Sequence, residues 1–423
     1  MKQMPGDPTG LERETVAGGA LAPFRFPVFR AIWIANFGSN LGYVMQAVGA
    51  AWLMTGLTPS HQMVALVQAS TAIPIMVFGL LAGSLADNFD RRRIMVASQA
   101  LMLAVSAGLT ALTWLGLVTP WLLLALTLVL GTGTALNAPA WQASVRQQVD
   151  RDTVPQAVAL NAISFNVART LGPALGGALI SLTSVSVVFL CNALSRPPLL
   201  AVLLRWRPAV EKPVRQPTFP AIVEGLRHCA SDGPIRRVLA HAFAVGFGVA
   251  GYQALVPAVV RGPLHGTEFD FGLLLAMFGI GSVMAAVGID RWRRRFGPGP
   301  LLAGAAVVFA LGQIGLAQAA RVAVALPFAL VAGAGWVALL TCLGVVMQLL
   351  APEGLLGRCL SVFQATMFGG MALGAWFWGA LADATSIAMA LQAGSVLLLA
   401  AMLLLRFVAP MPGAADMRGH RPR

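Results

Sequence analysis

The chain has 423 residues, of which 57% are hydrophobic and only 11% charged, whereas a soluble domain carries roughly 25% charged residues. Its net charge of +13 is spread between apolar runs, which excludes a basic nucleic-acid-binding domain, and the runs are continuously apolar rather than alternating, which excludes an outer-membrane barrel. What remains is an all-α polytopic membrane protein, since twelve helices of about 22 residues would each cross a bilayer and together use most of the chain.

Residues 1–27 hold Asp7, Glu12, Arg13 and Glu14 without a leading apolar core, which reads as a cytoplasmic tail rather than a cleavable signal peptide. Apolar runs follow near 30–55, 63–86, 94–117, 120–144, 156–182 and 185–204, and an N-terminal six-helix bundle is expected over 28–204. The polar stretch 205–237 is expected to be a cytoplasmic linker. It opens with a Pro-rich basic piece, and a short amphipathic helix from Ala221 to about Ala230 puts Ile222, Val223 and Leu226 on one face, against an anionic leaflet. Apolar runs resume near 238–260, 270–289, 299–320, 322–350, 355–382 and 386–408, which gives a C-terminal bundle over 238–408 and a cytoplasmic tail over 409–423. An even number of spans puts both termini on one side. With that side cytoplasmic, all but four of the 29 Lys and Arg (Arg169, Arg196, Arg261 and Arg321) fall there, as the positive-inside rule requires.

The halves resemble each other at an offset of about 200 residues. Asp87 through Arg93 matches Asp290 through Arg295, Gly131-Thr132-Gly133 matches Gly333-Ala334-Gly335, and Gly172 and Gly177 match Gly374 and Gly379. A duplicated six-helix unit is the plan of many secondary transporters, which bind substrate between the repeats. Cys191, Cys229, Cys342 and Cys359 show no CxxC or His pairing and read as packing residues, with no metal site.

Polar side chains within the spans are few enough to single out. Asn36, Asn40 and Tyr43 stand at i, i+4 and i+7 in the first span, with Gln46 close behind; they share a face and must look away from lipid. In the seventh span His241 and Tyr252 share a face with Gly248. A lone His there is more often a packing residue than a proton carrier. Arg169, near the centre of the fifth span, costs roughly 2.5–3.5 kcal/mol to insert unless it meets water or polar partners. It reads either as an anion-binding group in a cavity or as a buried cation bonded to neighbours such as Asn166. Arg196 precedes Pro197-Pro198, which are expected to break the helix, and reads as structural. No Asp or Glu falls in mid-span, and the absence of a Walker A loop excludes ATP hydrolysis by this chain.

Gly83-Ser84-Leu85-Ala86-Asp87-Asn88-Phe89-Asp90-Arg91-Arg92-Arg93 resembles the loop 2–3 motif of the major facilitator superfamily, G-x-L-A-D-R-x-G-R-R, with Asn88 where a basic residue is common and Asp90 where glycine is usual. Asp87 and Arg91, four apart, could also pair across a helical turn. Asn137-Ala138-Pro139-Ala140-Trp141, and Gly172-Pro173-Ala174-Leu175-Gly176-Gly177, which is similar to the antiporter string G-P-x-x-G-G, extend the resemblance. They do so toward the drug-exporter branch containing the enterobactin exporter and the transmembrane secretion effectors.

The resemblance implies twelve transmembrane helices in two pseudo-symmetric six-helix bundles around a central cavity. To that cavity it assigns Asn36, Asn40, Tyr43, Gln46, Asn137, Asn161, Arg169, His241, Tyr252, Trp336 and Gln364. It implies a conformational switch of Gly83, Asp87, Asp90, Arg91 and Arg92, in which Asp87 latches the first half to the start of span 11 near Gly354–Arg358, and an antiporter-like motif of Gly172, Pro173, Gly176 and Gly177. The expected protein is not an enzyme and needs no cofactor. It is a monomeric exporter of the bacterial inner membrane that moves small amphipathic compounds (drug, metabolite or siderophore) by alternating access, with protons as the coupling ion. The side chains suit a neutral or anionic substrate, since a cation would lack a countercharge. Lipid or lysolipid flipping on the same fold, and a non-transporting membrane sensor or scaffold, stay open as alternatives.

Overall fold

The computed structural model describes residues 19–88, 90–207 and 218–412, without the side chains of residues 80, 82–88, 218, 219, 221, 290, 294 and 353. The side chains of the switch residues Gly83 and Asp87 therefore lie outside the described residues, as do linker residues 208–217 and the outer parts of both tails.

Among the described residues the regular structure is helical, with no strand. That is the outcome expected of continuous apolar runs, because a helix satisfies every backbone hydrogen bond within its own segment. The first six helices are α1 (Pro27–Leu57), α2 (His61–Asn88), α3 (Arg91–Trp114), α4 (Pro120–Ser144), α5 (Val154–Leu182) and α6 (Val185–Arg205). The linker helix α7 (Thr218–Ser231) precedes α8 (Gly233–Arg261), α9 (Glu268–Phe296), α10 (Pro298–Gln318), α11 (Val322–Leu350), α12 (Leu356–Ala384) and α13 (Ile387–Val408). Their ends follow local chemistry. Proline occupies the first turn of α1, α4, α5, α8 and α10, where its missing N–H costs nothing. Thr267 and Asp270 form a reciprocal capping box on α9.

Packing repeats between the halves. In the first, α1 packs on α5 and α6, α2 on α4, and α3 on α4 and α6; in the second, α8 packs on α12 and α13, α9 on α11, and α10 on α11 and α13. Each pair in one bundle has its counterpart in the other. The bundles meet through α2 against α12 and α5 against α9, which exchange places under the same pseudo-symmetry.

Among the described residues ten helices are long and apolar enough to cross a membrane, so this is a multi-pass membrane protein. Two further long helices, α1 and α5, fall short of that measure. They are the helices that carry Asn36, Asn40 and Gln46, and Asn161, Asn166 and Arg169, and they pack against each other.

Two local expectations are corrected. Pro197 and Pro198 do not break α6, which runs unbroken from Val185 to Arg205. The missing N–H groups free the carbonyls of Ala193 and Leu194, and membrane helices tolerate such interruptions where neighbours pack against them. The Asp87–Arg91 spacing is also not a turn of one helix, because α2 ends at Asn88 and α3 begins at Arg91. Asp90 caps α3 instead, accepting from the Arg92 N–H at 2.9 Å.

Candidate functional site

The α1–α5 contact is made by small residues. A Cβ on Gly172 would lie 2.7 Å from Val44 Cγ1, and one on Gly176 would lie 3.2 Å from Met45 Cα, so only glycine lets these helices approach so closely. Gly177 faces the other way. Its Cβ would come 2.6 Å from the Glu268 carbonyl oxygen and 2.8 Å from Gly272 Cα on α9. The G-P-x-x-G-G string thus joins α5 to a helix of its own bundle on one side and to the opposite bundle on the other. Pro173 sits inside α5 without ending it.

Behind α1 lies a buried polar network. The Asn192 amide donates to Gln46 Oε1 and, at 3.0 Å, to the Ser106 hydroxyl. Arg196 donates to Gln99 Oε1 at 2.9 Å and to Asn192 Oδ1 at 3.3 Å, and Tyr43 lies within the influence of both Thr134 and this guanidinium. Gln46 and Arg196 are therefore tied into the first bundle, between α1, α3 and α6. Asn36 is buried on α1, and Asn40 is half-buried one turn further on.

Arg169 is different. It is half-buried on α5, next to Thr170, whose Cα would lie 3.1 Å from a Cβ on Gly279 of α9. Among the described residues its guanidinium has no hydrogen bond or ion pair, while the Asn166 amide is spent on the Ala162 carbonyl at 2.8 Å. Other side chains present buried polar atoms without partners: Asn137 Oδ1 on α4, Asn161 Oδ1 on α5, Gln253 Nε2 on α8 and Trp336 Nε1 on α11. Each such atom costs about 1–3 kcal/mol if nothing meets it. These four atoms, two acceptors and two donors, lie on helices of both bundles.

The remaining candidates disperse. His241 is buried and bonds the Arg237 carbonyl of its own helix at 2.8 Å through Nδ1. Tyr252 is clamped between Phe278 and Phe309, at centroid distances of 5.4 and 5.7 Å. Gln364 is exposed on α12. At the α2–α3 turn, Arg91 donates to the Ala143 carbonyl at 3.3 Å and Arg92 to the Leu203 carbonyl at 2.8 Å, so a cation meets the carbonyl end of α6. Arg93 pairs with Asp90 at 3.7 Å.

The seam between the bundles is closed at the end where α1 turns into α2. There Trp52 Nε1 donates to Glu268 Oε1 at 2.9 Å, Arg261 donates to the Thr55 hydroxyl at 3.0 Å and lies 5.3 Å over the Trp52 ring, and Asp383 receives three hydrogen bonds from the start of α2. Exposed apolar side chains run along the whole length of α5 and α9, from Leu182 and Phe269 at this end, 82% and 48% exposed, to Ile163 and Val287 toward the other, 55% and 85% exposed. Trp52, Arg261 and Glu268 are absent from the sequence-based candidates. For Arg261 and Glu268 the one available signal, the Thr267–Asp270 cap, marks only where α9 begins, whereas Asp383 does carry a local pattern, because Gly379 through Asp383 repeats Gly83 through Asp87.

Two six-helix bundles packed in this pseudo-symmetric arrangement are the architecture of a transporter of the major facilitator superfamily. The transmembrane secretion effector family matches residues 18–422, and the chain belongs to that family. The enterobactin exporter EntS of Citrobacter koseri is 25% identical over 90% of this chain and 91% of its own. The staphyloferrin A transporter of Staphylococcus aureus is 25% identical over 62% of this chain and 64% of its own, and the MFS-type transporter YfiS of Bacillus subtilis is 34% identical over 30% of each. The chain thus spans less than two thirds of the length of those last two relatives. Among solved structures, the nucleoside transporter NupG superposes with a TM-score of 0.74 over 90% of this chain and 99% of its own, at 13% identity, a likeness of fold alone.

Proposed function

We propose that this protein is a secondary active exporter of the bacterial cytoplasmic membrane, with both termini cytoplasmic, which moves a small amphipathic molecule, neutral or anionic, by alternating access. The observation that carries this reading is Arg169. An unpaired cation stands beside the α5–α9 contact, next to Thr170, in a protein whose spans hold no mid-span carboxylate to oppose it. A guanidinium so placed recognises a carboxylate or a comparable anion by charge and by paired hydrogen bonds, and the orphan polar atoms of Asn137, Asn161, Gln253 and Trp336 would orient the rest of the molecule. The bundles over 28–204 and 238–408 then rock about this site, and the state described is closed at the α1–α2 end. Asp87 at the close of α2 serves as the opposite latch, toward the start of α12. The relatives named as an enterobactin exporter and a staphyloferrin A transporter support a siderophore, an anionic chelator, as the first cargo class to try.

Efflux from a susceptible strain, with and without an uncoupler, tests the reading. Wild type is expected to lower accumulation of a catecholate or citrate-type chelator, and the uncoupler to abolish the effect. Efflux of monovalent cations in its place, or retention of full export after Arg169→Ala, would overturn it.

A further inference from the structure

Helices α2 and α12 lie antiparallel across the seam. Gly379 near the end of α12 rests on the start of α2, where its Cβ would lie 2.7 Å from Ala65 Cβ and 2.8 Å from Gln62 Cα, while Gly369, earlier on α12, rests on Met76, further along α2. In the last turn of α12, Asp383 reaches across to the first turn of α2. Its Oδ1 accepts from the His61 N–H at 2.6 Å, and its Oδ2 accepts from the Gln62 N–H at 3.1 Å and from the Ser60 hydroxyl at 2.7 Å. The first N–H groups of a helix have no partner within it, and a carboxylate there gains both charge-assisted hydrogen bonds and the favourable end of the helix dipole. Such a cap ordinarily comes from the residue that begins the helix. Here Ser60 supplies one such bond, accepting from the Met63 N–H at 3.3 Å, and the bonds to the His61 and Gln62 N–H groups come from the opposite bundle, so that part of the cap exists only while this end is shut.

The segment that carries it is a repeat. Gly379-Ala380-Leu381-Ala382-Asp383 closes α12, and Gly83-Ser84-Leu85-Ala86-Asp87 closes α2, four of the five residues being identical. Each Asp is the next-to-last residue of its helix, since α12 ends at Ala384 and α2 at Asn88. In an antiparallel pair, each motif therefore falls beside the start of the other helix. We infer that α2 and α12 form a double-ended latch in which Asp383 is a positioning residue for transport: it holds the α1–α2 end closed in this state, and Asp87 does the same at the other end in the opposite state. The inference rests on the alternating-access reading. Asp383 is exposed, and an aqueous recess of about 560 Å³ lined by Pro59, His61, Gly262 and Ser386 opens beside it. That exposure suits a latch which must release in every cycle, because exposed ionic contacts are weak enough to break.

Distances between spin labels in the full-length protein in lipid nanodiscs test this. One pair at Leu115 and Arg321 reports the α1–α2 end, and another at Arg151 and Phe296 reports the other end, with the four native cysteines replaced. Asp383→Ala is expected to shift the population about tenfold toward opening at the α1–α2 end, the scale of a lost charged hydrogen bond. Asp87→Ala is expected to shift it the opposite way, the double variant to return near the wild-type balance, and Asp383→Glu to stay close to wild type. A mutation that merely loosened the fold would not produce opposite shifts that cancel. Wild type populating both arrangements, with Asp383→Ala leaving them unchanged or both single variants shifting the same way, would overturn the latch alone. A single arrangement in every variant, with or without a transported chelator, would overturn alternating access and the latch with it.

Discussion

Two arginines stand inside the spans, and only their surroundings tell them apart. Arg196 is 3% exposed and donates through its two terminal nitrogens to Gln99 and Asn192, with only Nε left unmet, whereas Arg169 has no partner among the described residues. Removing a paired group strands the atoms left behind, at about 1–3 kcal/mol each when buried. Arg196→Ala is therefore expected to lower the thermal stability of the purified protein by several degrees, and loss of transport should track loss of folded protein. Arg169→Ala strands nothing and removes an expensive charge from the membrane. Its melting temperature is expected to stay level or rise while the KM for an anionic substrate increases about tenfold or more, the scale of a charged hydrogen bond. Arg169→Lys should recover only part of that affinity, since an ammonium cannot bond a carboxylate in paired fashion. A destabilised Arg169→Ala with unchanged KM would make Arg169 structural. From sequence, both residues are arginines in apolar runs; the amides that pair with Arg196 lie 4 and 97 residues away, and nothing local marks the second.

At the scale of elements, the small-residue string of α5 was legible as a close-packing motif, but not the helices it serves. Gly172 and Gly176 turn to α1, and Gly177 turns to α9. The difference has consequences, because the atoms facing Gly177 are backbone and cannot swing aside. Overpacking such a contact costs about 1–3 kcal/mol. Gly177→Ala and Gly272→Ala are expected to lower the stability of the detergent-solubilised protein by that amount and to part α5 from α9. Gly108→Ala and Gly304→Ala, whose surroundings are empty within 4 Å, should be neutral or slightly stabilising through helix propensity. Equal effects at all four glycines would remove the seam argument. The linker helix makes the same point. Its amphipathic pattern predicted a helix, and what the pattern did not show is a tertiary contact: Glu224 pairs with Arg358 and Gly225 lies against the Arg358 stem. The helix docks on the start of α12, and Val223 and Leu226 remain exposed.

For the whole molecule, the distribution of basic residues argues for cytoplasmic termini. An alkaline phosphatase fusion at the C-terminus is expected to be inactive, and a fluorescent protein fusion there bright; after Leu115, in the turn following α3, the pattern should reverse. A bright phosphatase signal at the C-terminus would invert the sidedness of every gate described above. The sequence by itself determined that the chain is helical, membrane-embedded and internally repeated. Those properties follow from continuous apolar runs, from backbone groups that lipid forces to pair within each segment, and from motifs recurring at a constant offset, all of which are local or periodic. Only the tertiary structure decided which arginine lacks a partner, which end of the seam is closed, and that Asp383 caps a helix of the other bundle. Asp383 and the helix start it holds are more than 320 residues apart, and a hydrogen bond over that separation leaves no trace in any window of sequence until packing brings its two ends together.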